Sequence, residues 1–586
     1  DKDKILSDVV WAIRKFRPDV IVCRFPTDGG GGHGHHTSSA LLGVEAFDLA
    51  ADKTKYPEQL KYVDTWQAKR IVVNTGRWWN DKISADDEGV VAEDIGLYNN
   101  LLGTSYNELA ARSRTMHKSQ GFGSTGRRGE LIEYFEHLKG EEAQTSLFDG
   151  YITTWRRVEN SDAVLGVVNN LIEEFDVEHP GRSIKELLSL KKELQQLEKG
   201  NWKTKKIAEV NDLIKQCAGL YLEAKSNSYS SIVNDSIVVD FEFISRSYQN
   251  LKIKSISSNV LGFEYAFDKV LALNKKEELK QTLLVARTLE ISQPYWLKEE
   301  GTLGTYKVDD QLLIGTPENE PSIVFDVVCE LDGQELIYQI PLIYKWNDPV
   351  KGELYRPFVI TPPAFVNFAE EIHLFSTLQQ REVELIVKSG KANFKGELVV
   401  KPPKGWSIAN NTFNINLVKK GEEQKIKVMV TPSETAEPGF LTAIINSNGV
   451  AYTQALKEIT YDHIPTQMYM PESKAKLVYI QLNKRGTKVA YIKGAGDVVP
   501  EGLRNIGYQV DELEESEITA DNLAQYDAVL LGIRALNTNT RVDFYMDKLL
   551  AYCENGGNLI AQYNTSHRLK TDKFSPYPLK LSRDRV

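Results

Sequence analysis

The spacing of hydrophobic and polar residues changes three times along the chain. From residue 1 to about 155, short apolar runs such as "DVIVC" (19–23) and "RIVVN" (70–74) alternate with amphipathic stretches such as "ILSDVVWAIRKF". That is the rhythm of an α/β layer in which helix feeds strand. Between about 160 and 225 the period is helical. Ser183 and Glu186 have the spacing of a capping box, and Ile184, Leu187, Leu190, Leu194 and Leu197 follow on one face. "KGNW" interrupts the stripe before Ile207, Val210, Ile214 and Cys217 resume it, which predicts a helical hairpin.

After residue 225 the period drops to two: Val239, Phe241 and Phe243; Phe413, Ile415 and Leu417; Ile426, Val428 and Val430, each set bounded by Gly, Pro or Asn turns. Two β-sandwiches are expected, divided near "NDPVKGELYRP" (347–357), where Pro and Gly interrupt the alternation. From about 475 an α/β rhythm returns in "KVAYI" (488–492), "VPEGLRNIG", "DAVLL" (527–531), "VDFYMDKLLAYCENGG" and "NLIAQY" (558–563). It predicts a doubly wound layer, with three strands before the sequence ends at "LSRDRV". The fold class is therefore multidomain α/β plus β, with expected domains at 1–158, 159–225, 226–350, 351–470 and 471–586.

A chain of 586 residues accommodates such a series at about 100 to 200 residues per domain. The net charge of −10 with dispersed Lys and Arg offers no basic face to a phosphate backbone, so no nucleic-acid partner is expected. No apolar run reaches the roughly 18 residues of a transmembrane helix, and "DKDKILSDVV" contains no signal-peptide apolar region. The four cysteines (Cys23, Cys217, Cys329, Cys553) form no CxxC pair, which argues against a zinc ribbon or a dense disulfide framework.

The candidate chemistry concentrates in "RFPTDGGGGHGHHTSSALLGVEAF" (24–47), where three of the nine histidines follow four glycines. His33 and His36, in a glycine-rich loop between a strand and a helix, allow one imidazole to bind a metal while the other reaches a substrate. The same composition also fits a surface turn or an adventitious metal binder. Trp78 and Trp79 in "RWWND" offer either a stacking platform for a sugar ring or packing against a helix.

"FRPDVIVCRFPTDGGGGHGHHTSSALLGVEAF" resembles the C-terminal metal motif of the PIG-L/LmbE family of zinc-dependent de-N-acetylases. In that motif an Arg-Pro-Asp strand runs into a His-Pro-Asp-His-like turn and then a helix. "NELAARSRTMHKSQGFGS" (107–124) is similar to the family's later His-x-Ser-Gln segment, through His117, Ser119 and Gln120. Together the two matches cover about the first 155 residues, and the multidomain layout is similar to that of large exported members from Bacteroidetes-type bacteria.

The resemblance implies a Rossmann-like layer fold for residues 1–158 and Zn2+ held by His36, with His33 stabilising the tetrahedral oxyanion or protonating the leaving amine. Asp28 is a second catalytic candidate, and Arg24, His35, Trp78, His117 and Gln120 are substrate-binding candidates. Asp28 and Arg24 fit equally well as loop-solvating or salt-bridging groups, and His35 stands where the family often has Asp. The family's His-Pro-Asp-Asp motif, which supplies two further zinc ligands and the general base, does not occur in this sequence. It is expected in front of Asp1.

The segment "GELVVKPPKGWSIANNTFNINLVKKGEEQKIKVMVTP" is similar to the NPCBM-associated sandwich family, whose modules more often position than bind. The last segment resembles the class I glutamine amidotransferase-like fold (a partial flavodoxin/amidotransferase-like α/β domain). Its one cysteine, Cys553, falls inside an amphipathic helix and is expected to be buried, so no amidotransferase activity is expected. "GAGD" (494–497) lacks the third glycine of a dinucleotide loop and is read as a structural turn.

Three functional readings follow. One is a zinc-dependent de-N-acetylase of N-acetylglucosamine-type sugars or glycoconjugates. The second is a catalytically inactive glycan-binding or scaffold protein of the cell envelope, whose sandwiches contact glycan or a partner protein. The third is an accessory subunit of a larger outer-membrane assembly. The sandwich modules and the family resemblance both point to a periplasmic or extracellular/cell-surface location.

Overall fold

The structure is a computed structural model that describes residues 1–77, 79–248 and 250–582. The chain forms two compact units, one of residues 1–361 with 457–469 and the other of 362–456 with 470–586.

The first unit opens with helix α1 (Lys2–Phe16), strand β1 (Val20–Cys23), helix α2 (Gly34–Leu49) and strand β2 (Arg70–Thr75). Strand β3 (Val90–Asp94), helix α3 (Tyr106–Thr115) and strand β4 (Ile132–Gly140) complete the layer. The sheet order is β1-β2-β4-β3, with β1 and β2 parallel and the other two pairings antiparallel. The layer expected to be Rossmann-like is thus parallel only in its first pair. A parallel neighbour requires a crossover helix that packs on the sheet. Helix α2 packs in this way, burying Leu42, Ala46 and Phe47, whereas α3 buries only Ala111.

Two buried arginines tie this layer together. Arg14, at the end of α1, donates to the carbonyls of Leu49, Ala50, Asp52, Lys55 and Tyr56 and to Gln59 Oε1 at 2.8 to 3.2 Å. It thereby satisfies the orphan carbonyls at the C-terminus of α2 and fixes the crossing of the two helices. Arg70 of β2 donates in the same manner to the carbonyls of Glu141, Leu147 and Asp149. The Asp149 carboxylate in turn accepts the backbone N–H groups of Gln144, Thr145 and Ser146, which hold it far below the usual carboxylate range.

The helices Ile184–Gln196 and Asn201–Cys217 share one core with the sheets that follow: Leu187, Leu194, Val210 and Ile214 lie in the same cluster as Val239, Phe241, Phe243 and Phe325. The expected capping box does not form. Ser183 ends a 3-10 turn, Pro180–Ser183, and its side chain makes no cap bond. Helical structure stops at Cys217, and Leu220–Ser226 is already a strand.

The sheet order is Phe263–Val270, Leu251–Ser258, Val324–Leu331, Gln334–Asp348, Leu220–Ser226, Ser236–Ser245, Glu277–Leu284. The long strand Gln334–Asp348 pairs with Val324–Leu331 through its first half and with Leu220–Ser226 and Gly352–Pro357 through its second. The Pro- and Gly-bearing stretch 347–357 is therefore part of a hairpin inside this unit, in which Asp348 Oδ1 accepts the N–H groups of Val350 and Lys351.

In the second unit two sheets enclose a core that includes Val383, Leu385, Leu398, Trp406, Val428 and Leu441. It continues into four parallel strands in the order Gln509–Glu512, Lys488–Ile492, Ala528–Leu531, Asn558–Ala561. The sequence pattern predicts three of them. Gln509–Glu512 escapes it because only Val510 of its four residues is buried. Cys553 is half-buried inside the helix Asp543–Glu554, not fully buried, and away from any strand-to-helix turn. Asp497 of "GAGD" accepts from Tyr491 Oη at 2.6 Å and from the Val499 and Ile533 N–H groups, closing that turn on itself.

Replacing Arg14 by Met removes all the guanidinium donors from this set of acceptors and is expected to cost about 3 kcal/mol or more, measured by urea unfolding of the full chain. A second expectation concerns His373, whose Nε2 is buried without a partner. Burial holds its pKa below the usual imidazole value; the charge of Arg381 adds to this and Glu370 opposes it. The unfolded state then binds the proton first as pH falls. Stability is full above about pH 6.5 and drops as pH falls from there toward the folded value. Unfolding midpoints measured down to about pH 5 are expected to show a shallower decline in His373→Leu than in wild type.

Candidate functional site

The turn that follows β1 is built by short-range constraints. Asp28 Oδ1 accepts the Gly30 N–H at 2.8 Å, and the Gly32 N–H donates to the Gly29 carbonyl at 3.1 Å. Gly29 (φ +92°) and Gly32 (φ +76°) occupy the left-handed region that favours glycine. At Gly31 a Cβ would lie 3.1 Å from both His36 Cβ and Phe25 Cδ1, so the absence of a side chain lets the turn close on the helix. His33 is extended, and its carbonyl accepts the first helical N–H groups, from His36 and Thr37.

This closure positions two imidazoles. The His36 ring stacks on Phe25 with centroids 3.7 Å apart and planes within 2°, and its Nδ1 lies 3.0 Å from the Gly31 carbonyl. Nδ1 can only donate to that carbonyl, which leaves the lone pair on Nε2. The His33 ring stands nearly perpendicular to it, 5.1 Å away. His33 is exposed and His36 half-buried.

Beside them, at the carboxyl ends of the parallel pair, Arg24 Nη1 donates to Asn74 Oδ1, and Asn74 Nδ2 donates to Glu133 Oε2 at 2.8 Å. The Trp79 ring is tilted toward Phe25 at 6.1 Å. The structure sets His33 beside His36, and Arg24 and Asp28 lie in the same strand-to-helix segment, bonded to Asn74 and Gly30 respectively. His35 is exposed on the first turn of α2, and Trp78 lies outside the described residues. His117 and Gln120 are exposed around the 3-10 turn Lys118–Gln120. Among the described residues no hydrogen bond, ion pair or ring contact joins either of them to the histidine turn.

Phe25, Asn74 and Glu133 were not anticipated. Asn74 had a usable signal: it is a polar residue inside the fully buried strand "RIVVNT", near the carboxyl end of a parallel strand, where α/β layers place their ligands.

His36 fits a metal ligand on its own geometry, because a ligating imidazole normally gives its other ring N–H to a carbonyl or carboxylate. Among the described residues, however, no group of three His, Cys, Asp or Glu side chains comes together to enclose an ion.

No protein-family model matches the chain. Among curated proteins it is similar to the mycothiol S-conjugate amidase of Streptomyces coelicolor, 37% identical over 76 residues, which is 13% of this chain. The chain spans about a quarter of that relative's length (25%). Solved structures that align with it include Salmonella alpha-2-macroglobulin reacted with methylamine (9% identity, 44% of this chain and 16% of that one, TM-score 0.16). The D0-D1 domain of intimin aligns over 44% of this chain and 97% of its own, with 10% identity and a TM-score of 0.14.

The geometry separates two roles for Asp28. Its carboxylate is engaged with the Gly30 amide, a bond that an Asn side chain also makes. Asp28→Asn is expected to leave thermal stability within about 0.5 kcal/mol of wild type. A larger loss would show that the carboxylate charge, beyond the bond to Gly30, holds the turn.

Proposed function

We propose that this chain is an amide hydrolase of the zinc-dependent de-N-acetylase type, acting on N-acetylglucosamine-type sugars or glycoconjugates. One observation carries the reading: His36, stacked on Phe25 with Nδ1 committed to the Gly31 carbonyl, presents a single free ring nitrogen beside a second imidazole at the end of a parallel strand pair. The 76-residue similarity to an amidase supports it.

In this reading His36 Nε2 contributes one ligand. Zinc, when bound, supplies a Lewis acid that polarises an amide carbonyl and acidifies a water. The described residues provide no closed set of three ligands, and this reading requires further ligands from outside them. His33, free of helix-capping duty, is placed to donate a proton to the departing amine or a hydrogen bond to the developing oxyanion. The Arg24 guanidinium, steadied by Asn74 and Glu133, offers donors to sugar hydroxyls or to an acidic group of the substrate.

The experiment is amine release from N-acetylated sugars by wild type, His33→Ala, His35→Ala and His36→Ala. The expected result is abolition in His36→Ala, a fall of about 10²-fold or more in His33→Ala, and a minor change in His35→Ala. Wild-type turnover in both His33→Ala and His36→Ala would overturn the assignment. Binding of the sugars without amine release would favour the scaffold reading instead.

A further inference from the structure

The stretch from Leu97 to Gly129 serves the core of its unit very little: Ser105 and Ala111 are its only buried residues. It instead exposes Leu97, Tyr98, Leu101, Leu102, Tyr106 and Leu109, with Leu101 98% exposed at the tip of the hairpin Tyr98–Asn99/Thr104–Ser105. A patch of this kind on a protein surface marks a place where something apolar is met.

Three further observations say what meets it. First, the hairpin tip bonds several of its own N–H groups. Asn99 Oδ1 accepts the N–H groups of Leu101 and Leu102, and the Asn99 carbonyl accepts that of Gly103, at 2.9 to 3.1 Å. These bonds lower the cost of moving the two leucines toward a hydrocarbon phase.

Second, α3 is built as an interfacial helix. At about 100° per residue, Tyr106, Leu109 and the C-cap Met116 form a stripe opposite Ala111, the one residue the helix buries. Arg112 flanks that stripe, and Arg114 lies between it and the buried Ala111. Basic residues flanking an exposed apolar stripe are the pattern of helices that lie in a headgroup layer.

Third, the local charge is opposite to that of the chain. Residues 97–129 hold five Arg and Lys against one acidic residue, Glu108, in a protein of net charge −10. Glu108 is engaged with Arg128 at 2.9 Å. No described helix is long and apolar enough to cross a membrane, so the contact is peripheral.

We propose that the Tyr98–Ser105 hairpin and α3 dock this protein on an anionic lipid bilayer, with Leu101 and Leu102 inserted and Arg112, Arg114 and Lys118 on the phosphates. The tyrosines Tyr98 and Tyr106 then lie at headgroup depth, the position such rings favour. This inference rests on the surface alone and stands whether or not the histidine turn is catalytic.

The test is flotation of the full chain with vesicles of phosphatidylcholine alone and of phosphatidylcholine mixed with phosphatidylglycerol. Binding is expected only to the anionic vesicles, weakened by high salt. It should fall about tenfold or more in the double variant Leu101→Asp/Leu102→Asp and similarly in Arg112→Glu/Arg114→Glu. All four substitutions are at exposed positions, and unchanged circular dichroism and melting exclude misfolding as the cause. No binding, equal binding to both vesicle types, or retention by both variants would overturn the proposal. So would a chain that ignores vesicles but self-associates through this patch, losing the association in Leu101→Asp/Leu102→Asp.

Discussion

A single buried guanidinium decides where the histidines stand. Arg14 gathers the carbonyls at the C-terminus of α2 and in the loop after it, and so locks the far end of that helix against α1. With that end fixed, the helix must begin where β1 delivers the chain. The ten residues between them have to close a turn tight enough to bring Gly31 against His36. Glycines at 29 and 32 make that closure possible, and the stack on Phe25 with the bond to the Gly31 carbonyl fixes the ring that results. The position of one imidazole thus follows from long-range packing at one end of a helix and short-range backbone freedom at the other.

Periodicity reads regular elements well and junctions poorly. "DVIVC", "RIVVN", "KVAYI" and "DAVLL" all fold as strands near the places their apolar runs mark, although the first buries only Cys23, because a strand inside a sheet needs little beyond a run of apolar side chains. Gln509–Glu512 has one buried residue and no such run, so only its pairing with Lys488–Ile492 reveals it. At Ser183 the spacing of a capping box is present, but the preceding 3-10 turn occupies the backbone geometry that the cap requires. The Pro and Gly at 347–357 are ambiguous in principle, since a tight hairpin and a domain linker use the same residues. Only the pairing of Gln334–Asp348 with Gly352–Pro357 decides between them.

The site was legible to the same degree. His33, His36, Arg24 and Asp28 lie in one continuous segment, and the glycines and the Asx turn at Asp28 are the local features that shape it. Phe25, Asn74 and Glu133 act through packing and through pairing between strands distant in sequence, which a motif does not encode. His117 and Gln120 show the converse. A matching motif does not by itself deliver a contact, and here both side chains face solvent on the segment whose exposed leucines, tyrosines and arginines suit a lipid surface better than a protein core.

The account rests on His36 Nε2 as a metal ligand, and the most direct measurement is zinc per chain, by elemental mass spectrometry on protein purified from its native source without added metal. Close to one zinc per chain in wild type, lost in His36→Ala and kept in His33→Ala, is the result the account predicts. A zinc-free wild type, or a His36→Ala variant that retains the metal, would contradict it.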